Sequence, residues 1–261
     1  MEKNPLLQVK NLRVSYECGK KKILRDVSFN LEAGEITALL GLNGSGKTTL
    51  LKAVCGLLPS TADKWELCSR TARKMTGREI SSLVSYIPQK HSIMYHIATV
   101  DVVLMGVNPR LRWYQTPTAR DRSLAVAMLD YIGLGNKAYE DFLSLSEGQK
   151  QMAILARAMV QNAPVMLFDE PDSGLDYENK RLIFEQIRLI NREKGYSALL
   201  ALHDPDYALR YCDRIILLKN GGIEGTINCR QDGIQEILPK LRTLYPRLDM
   251  IKYEHSFLTL K

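Results

Sequence analysis

Apolar and polar residues alternate over Leu7–Lys10 and again over Leu12–Tyr16, the two-residue period of half-buried strands. The polar stretch Glu17–Lys22 contains Gly19 and reads as a turn, its lysines at a solvated tip, after which Ile23–Leu31 resumes an extended pattern. Glu35–Leu40 is a short β-prone run that enters a glycine-rich turn, and a helical pattern follows from Lys47 to about Leu57. Leu83–Ile87 reads as a strand stopped by Pro88. From about Ser92 to Asn162 the pattern is mainly helical and rich in Leu, Ala, Met and Arg. Strand-like runs return at Val165–Phe168, Ala198–Leu202 and Arg214–Leu218, the first two separated by the helical stretch Tyr177–Lys194. Alternating strands and helices predict a parallel α/β sheet, and the helical block in the middle predicts a second, inserted subdomain. After Asn228 the pattern is ambiguous, although Phe257–Leu260 fits an edge strand.

Composition narrows this picture only a little. The 261 residues leave room for one core with an insertion, and a hydrophobic share of 45% is that of an ordinary globular chain. The longest apolar runs, such as Ile36–Leu40 and Val165–Phe168, are far shorter than the roughly 20 residues that cross a bilayer. Met1–Pro5 has no apolar stretch of the signal-peptide kind, so a cytoplasmic protein without a span of its own is expected. Five cysteines (Cys18, Cys55, Cys68, Cys212, Cys229) form no CxxC pair and read as reduced, structural thiols. The net charge of +7 suits nucleic acid, anionic lipid, phosphates or plain solubility, and does not decide among them.

The chemistry begins at Gly41-Leu42-Asn43-Gly44-Ser45-Gly46-Lys47-Thr48, which fits G-x-x-x-x-G-K-[ST], with Thr49 following in the helix. Glycines allow a backbone to curl around phosphates with its N–H groups pointing inward, and the helix that follows turns its positive end to the same anion. Lys47 is placed to reach the β- and γ-phosphates and the Thr48 hydroxyl to bind Mg²⁺. A chance glycine turn would lack the strand before and the helix after. The loop alone says that the chain handles a nucleoside triphosphate.

Val165–Phe168 runs into two carboxylates, Asp169 and Glu170, before Pro171. The C-terminal end of a buried strand faces the ligand crevice of an open α/β sheet. Successive side chains point to opposite faces, so the two acids cannot do the same work. Asp169 is expected to hold the metal, usually through water, and Glu170 to polarise the attacking water. Two solvated acids at a strand end are the plain alternative, which the phosphate loop makes less attractive.

Leu145-Ser146-Glu147-Gly148-Gln149 closely resembles the LSGGQ signature of ABC ATPases. Further motifs similar to that family's follow in order. Gln89 matches the Q-loop glutamine, Ser173-Gly174-Leu175-Asp176 resembles the D-loop, His203 matches the switch histidine, and Tyr16 stands where the family stacks an aromatic on adenine. The resemblance covers residues 7 to 225 and implies a P-loop NTPase (RecA-like) α/β core with an antiparallel β subdomain and an inserted helical subdomain. It further implies a cassette over residues 1–230, with the helical part at about 92–162, and a C-terminal tail over 231–261 of unassigned role.

In that family two cassettes pair head to tail and sandwich ATP between the phosphate loop of one and the signature of the other. The resemblance therefore implies ATP and Mg²⁺ as cofactors and Tyr16, Gly41, Asn43, Gly44, Ser45, Gly46, Lys47, Thr48, Thr49, Ser146, Gly148 and Gln149 as nucleotide contacts. Thr48, Gln89 and Asp169 would organise the metal, and Glu170, His203 and Lys47 would carry hydrolysis. The residues leave Ser146 a second role, because Ser146-x-x-Gln149 is also a capping-box pattern that serves its own helix. Glu147 departs from the family's usual glycine, and a carboxylate there repels a triphosphate unless its side chain turns away. The remaining histidines, His91, His96 and His255, match no metal-ligand spacing.

Two classes of ABC protein compete. Long coiled coils, zinc cysteines and a second cassette, the marks of repair and translation factors, are missing from the sequence, whereas a single-cassette ATPase such as an iron–sulfur assembly factor stays open. Thr99–Arg110 resembles the stretch after the Q-loop in importers of iron–siderophore, haem and cobalamin, where it lines the groove for the permease; packed internally, it would be a short helix ended by Gly106 and Pro109. The implied partners are a second cassette, integral-membrane permease subunits and, indirectly, a substrate-binding protein, at the cytoplasmic face of the membrane and without nucleic acid. Molybdate and tungstate importers are close alternatives.

Overall fold

A computed structural model describes residues 5–16, 21–90, 93–253 and 256–260. β1 (Leu7–Tyr16) and β2 (Lys21–Leu31) pair antiparallel. The two strands expected before residue 17 are one, because Asn11 takes a positive φ of 52° and the register slips there, so the strand bends without breaking. β3 (Ile36–Leu40) leads through the glycine-rich loop into α1 (Lys47–Val54). That helix stops short of the expected Leu57, since Gly56 turns the chain at φ 75°.

β4 (Lys64–Leu67) and β5 (Arg70–Thr71) complete an antiparallel sheet of order β2-β1-β4-β5. α2 (Gly77–Leu83) opens on a capping box of Thr76 and Glu79 and takes up Leu83, so β6 (Val84–Ile87) begins one residue later than expected. The helical block consists of α3 (Thr99–Leu104), α4 (Ala119–Tyr131) and α5 (Glu147–Gln161), joined by short 3₁₀ turns. Then come β7 (Val165–Asp169), α6 (Tyr177–Lys194), β8 (Ser197–Leu202), α7 (Pro205–Tyr211), β9 (Arg214–Lys219) and β10 (Gly222–Asn228). The ambiguous tail holds α8 (Ile234–Arg242) and a hairpin of β11 (Asp249–Tyr253) and β12 (Ser256–Leu260), so the segment read as an edge strand pairs with β11 and not with the main sheet.

The main sheet has the order β10-β9-β3-β8-β7-β6, parallel except for β10 at its edge. Its central strands β3, β8 and β7 are buried on both faces, as strands of parallel sheets are. The two-residue period sorts their side chains between two apolar clusters. Leu39, Val165, Leu167, Leu199 and Ala201 join α1 and the antiparallel sheet on one side. Ala38, Leu40, Met166, Phe168, Ala198 and Leu200 join the helical block, α6, α7 and the tail on the other. The register Leu40↔Leu202, Asp169↔Ala201 and Ile87↔Phe168 brings the C-terminal ends of β3, β8, β7 and β6 to one edge, the edge where ligands bind in open α/β sheets. No helix among the described residues is long and apolar enough to cross a membrane.

Candidate nucleotide site

The phosphate loop leaves the middle of that edge. Gly46 sits at φ 107° immediately before α1, a conformation that L side chains rarely adopt, and a Cβ on it would lie 2.9 Å from Leu24. Lys47 is buried, and its ammonium donates to the Gly41 carbonyl at 2.8 Å. The buried Ser45 hydroxyl has no partner within the protein, a polar atom that an incoming phosphate oxygen would satisfy. Asn43, Gly44, Ser45, Gly46, Lys47, Thr48 and Thr49 line one cleft of about 470 Å³, together with Ile23, Gln89 and Glu170.

β7 delivers the two acids to the same place in different ways. Asp169 is buried; one carboxylate oxygen accepts from the Thr48 hydroxyl at 2.9 Å and the other from the Tyr86 hydroxyl at 2.9 Å. Burial and the Asp169 charge push the Tyr86 phenol far above its ordinary pKa, which keeps it a donor. Glu170 takes a positive φ of 49°, which costs a non-glycine residue on the order of 1–2 kcal/mol. The bend turns its carboxylate into the cleft, 3.4 Å from the Lys47 ammonium, while Gln89 donates to its other oxygen at 2.7 Å. Gln89 also donates to the Ser173 hydroxyl at 3.1 Å. The glutamine expected to organise the metal thus has its amide nitrogen on the Glu170 carboxylate.

The Thr48–Asp169 pair is a set of hard oxygen donors suited to Mg²⁺, and no group of three or more His, Cys, Asp or Glu converges among the described residues. One carboxylate and one hydroxyl leave coordination positions for phosphate oxygens and water, the usual pattern for this ion.

The signature lies outside this cleft. Ser146 accepts from the Gln149 N–H at 3.3 Å, and Gln149 returns a side-chain oxygen to the Ser146 N–H at 3.1 Å, closing the capping box at the start of α5. Gly148 is buried against α6, where a Cβ would come within 2.6 Å of the Asn179 side chain, so any larger residue would have to displace Asn179. The Glu147 carboxylate lies 2.8 Å from the Lys150 ammonium, one turn along its own helix. His203 follows β8 and is exposed, and its carbonyl accepts from the Tyr245 hydroxyl at 2.6 Å. The backbone of Tyr16 ends β1, but its side chain lies outside the described residues, as do His91 and His255; His96 pairs with Asp141.

Sequence reasoning missed Tyr86, Asn179 and Tyr245. The local pattern marks Tyr86 only as a strand residue, and its bond to Asp169 spans 83 positions.

The profile described as ABC transporter matches residues 24–173. The chain belongs to the ABC transporter family. It is thereby an ATP-binding cassette, whose family couples ATP hydrolysis to transport. A Helicobacter pylori protein named as a probable iron chelatin transport ATP-binding protein is 35% identical over 216 residues, covering 82% of this chain and 84% of its own. A phosphonates import ATP-binding protein from Paraburkholderia xenovorans is 33% identical over 228 residues, covering 83% of this chain and 75% of its own. A solved inward-facing structure described as a metal-chelate type ABC transporter superposes with a TM-score of 0.81 at 27% identity, covering 98% of this chain and 96% of that one.

Proposed function

We propose that this cassette works as a homodimer beneath integral-membrane permease subunits, at the cytoplasmic face, and energises import of iron–siderophore, haem or cobalamin-type chelates. The observation that carries the ATPase part is the convergence of Lys47, Thr48 and Glu170 in one cleft at the sheet edge, with Asp169 bonded to Thr48 and Ser146 bonded within its own helix. One chain therefore supplies half of each sandwich. The cargo reading is supported by the iron chelatin relative and the metal-chelate structure. The phosphonate relative favours a second cargo reading on the same architecture.

In this reading Tyr16 stacks on adenine, and the loop amides of Gly41–Gly46 with Lys47 and Thr49 neutralise the phosphates. Mg²⁺, held by Thr48 and Asp169 with Gln89 nearby, would supply charge stabilisation at the β- and γ-phosphate oxygens. ATP entry draws the Lys47 ammonium away from Glu170, which frees the carboxylate to orient water. His203 holds the γ-phosphate side, and Ser146, Gly148 and Gln149 of the second copy close the site. Phosphoryl transfer is chiefly positioning and charge stabilisation, and these residues provide both.

The test is a pull-down of tagged protein from detergent-solubilised membranes, with co-purifying chains identified. A stoichiometric polytopic permease is expected, and its substrate-binding partner separates a chelate from a phosphonate cargo. Soluble partners alone, from an active ATPase, would overturn the transport reading.

A further inference from the structure

The switch loop 203–206 is tied to the C-terminal tail at both ends. At its start the Tyr245 hydroxyl donates to the His203 carbonyl at 2.6 Å, across 42 positions of sequence. At its far end Asp206, in the first turn of α7, accepts from the Thr259 N–H at 2.8 Å and from the Thr259 hydroxyl at 2.9 Å. Between them Asp204 caps α7 by accepting from the Asp206 N–H at 2.9 Å.

The tail does not need these polar contacts to stay on the body. Ile237, Leu241, Leu244, Leu248 and Met250 are buried in the same apolar cluster as Phe168 and Leu200. Lys219 of β9 further donates to the Thr243 carbonyl at 2.9 Å, just before the tyrosine. Tyr245 itself is half-buried, and its backbone is held in the turn that ends α8, its N–H on the Leu241 carbonyl at 2.9 Å. A phenol carried on so fixed a base is a rigid strut. Burial, with the Asp204 charge behind it, raises the phenol well above its ordinary pKa, so it remains a donor over the working pH range.

A carbonyl oxygen fixed in space fixes the peptide plane from which the His203 side chain departs. His203 is exposed and follows the last residue of β8, so its own strand does not hold it. We propose that Tyr245 is a positioning residue for ATP hydrolysis, acting through the His203 carbonyl, and that the C-terminal tail thereby forms part of the catalytic apparatus. The inference rests on the reading of His203 as a γ-phosphate contact.

The test uses full-length protein and compares Tyr245→Phe, His203→Ala and the double variant in single-turnover ATP hydrolysis, with nucleotide affinity and thermal melting measured alongside. The substitution Tyr245→Phe keeps the ring and removes only the hydroxyl. It is expected to lower the hydrolysis rate about fivefold, the scale of one hydrogen bond, with ATP affinity unchanged. In the His203→Ala background the same change is expected to have no further effect. The companion variant Thr259→Val is expected to slow hydrolysis in the same direction. An unchanged rate in Tyr245→Phe, or an equal loss with and without His203, would overturn the positioning role. Full turnover in His203→Ala would instead refute the reading of His203 on which the inference stands.

Discussion

At the scale of single residues, Glu147 shows how a departure from a family pattern is absorbed. A carboxylate beside a triphosphate site repels it, yet this one is bound to the Lys150 ammonium at 2.8 Å. Its side chain is 71% exposed, so the pair adds no more than about 1 kcal/mol to stability. In the proposed homodimer its consequence is electrostatic, because it offsets a charge near the partner's ATP. Lys150→Gln is therefore expected to raise the KM for ATP about two- to fivefold at low salt and less at high salt. Adding Glu147→Gly should return it to the starting value. Steady-state ATPase titrations at two ionic strengths decide this; a KM that Lys150→Gln leaves unmoved at low salt would show that the pair has no such role.

At the scale of elements, the helical block is held by close backbone contact. An internally packed helix over Thr99–Arg110 would end at Gly106; α3 ends at Leu104, and Gly106 lies in the 3₁₀ turn that follows. A Cβ there would lie 2.2 Å from the Arg157 carbonyl and 3.1 Å from the Gln161 N–H, both on α5. Backbone cannot yield as a side-chain tip can, so the whole turn would have to move off α5. Gly106→Ala is expected to cost about 1–3 kcal/mol in urea unfolding. Gly77→Ala, where an added Cβ meets nothing within 4 Å, should be close to neutral. Similar unfolding midpoints for the two variants would contradict this packing account.

At the scale of the whole molecule, the proposed site draws on two chains. The cleft gathers the phosphate loop, Glu170 and Gln89, whereas Ser146 spends its hydroxyl on its own helix. In the proposed homodimer, ATP recruits the second half and hydrolysis releases it. Glu170→Gln is expected to keep ATP binding, to trap an ATP-bound dimer and to lower turnover by roughly 10² or more. Light scattering with ATP, run beside phosphate release, reports both. Wild-type turnover in this variant would reassign the water-activating role.

Contiguous motifs were legible because their chemistry is local. A loop that wraps phosphates needs its glycines and lysine at fixed spacing, so Gly41–Thr48 announced itself, as did the strand ending in Asp169 and Glu170. Tyr177–Lys194 was read with its true ends because Asp176 caps one end and Gly195, in the left-handed conformation, closes the other. Local pattern did not disclose α8, which carries Pro239 in its interior, or the short strands β4 and β5. The sequence by itself thus determined the nucleotide chemistry and the layered α/β plan, since both follow from short-range spacing and periodicity. Only the tertiary structure decided that Tyr86 holds Asp169, that Gln89 meets Glu170 and that the tail grips the His203 loop, because each depends on which distant strand ends the folded sheet brings to one edge.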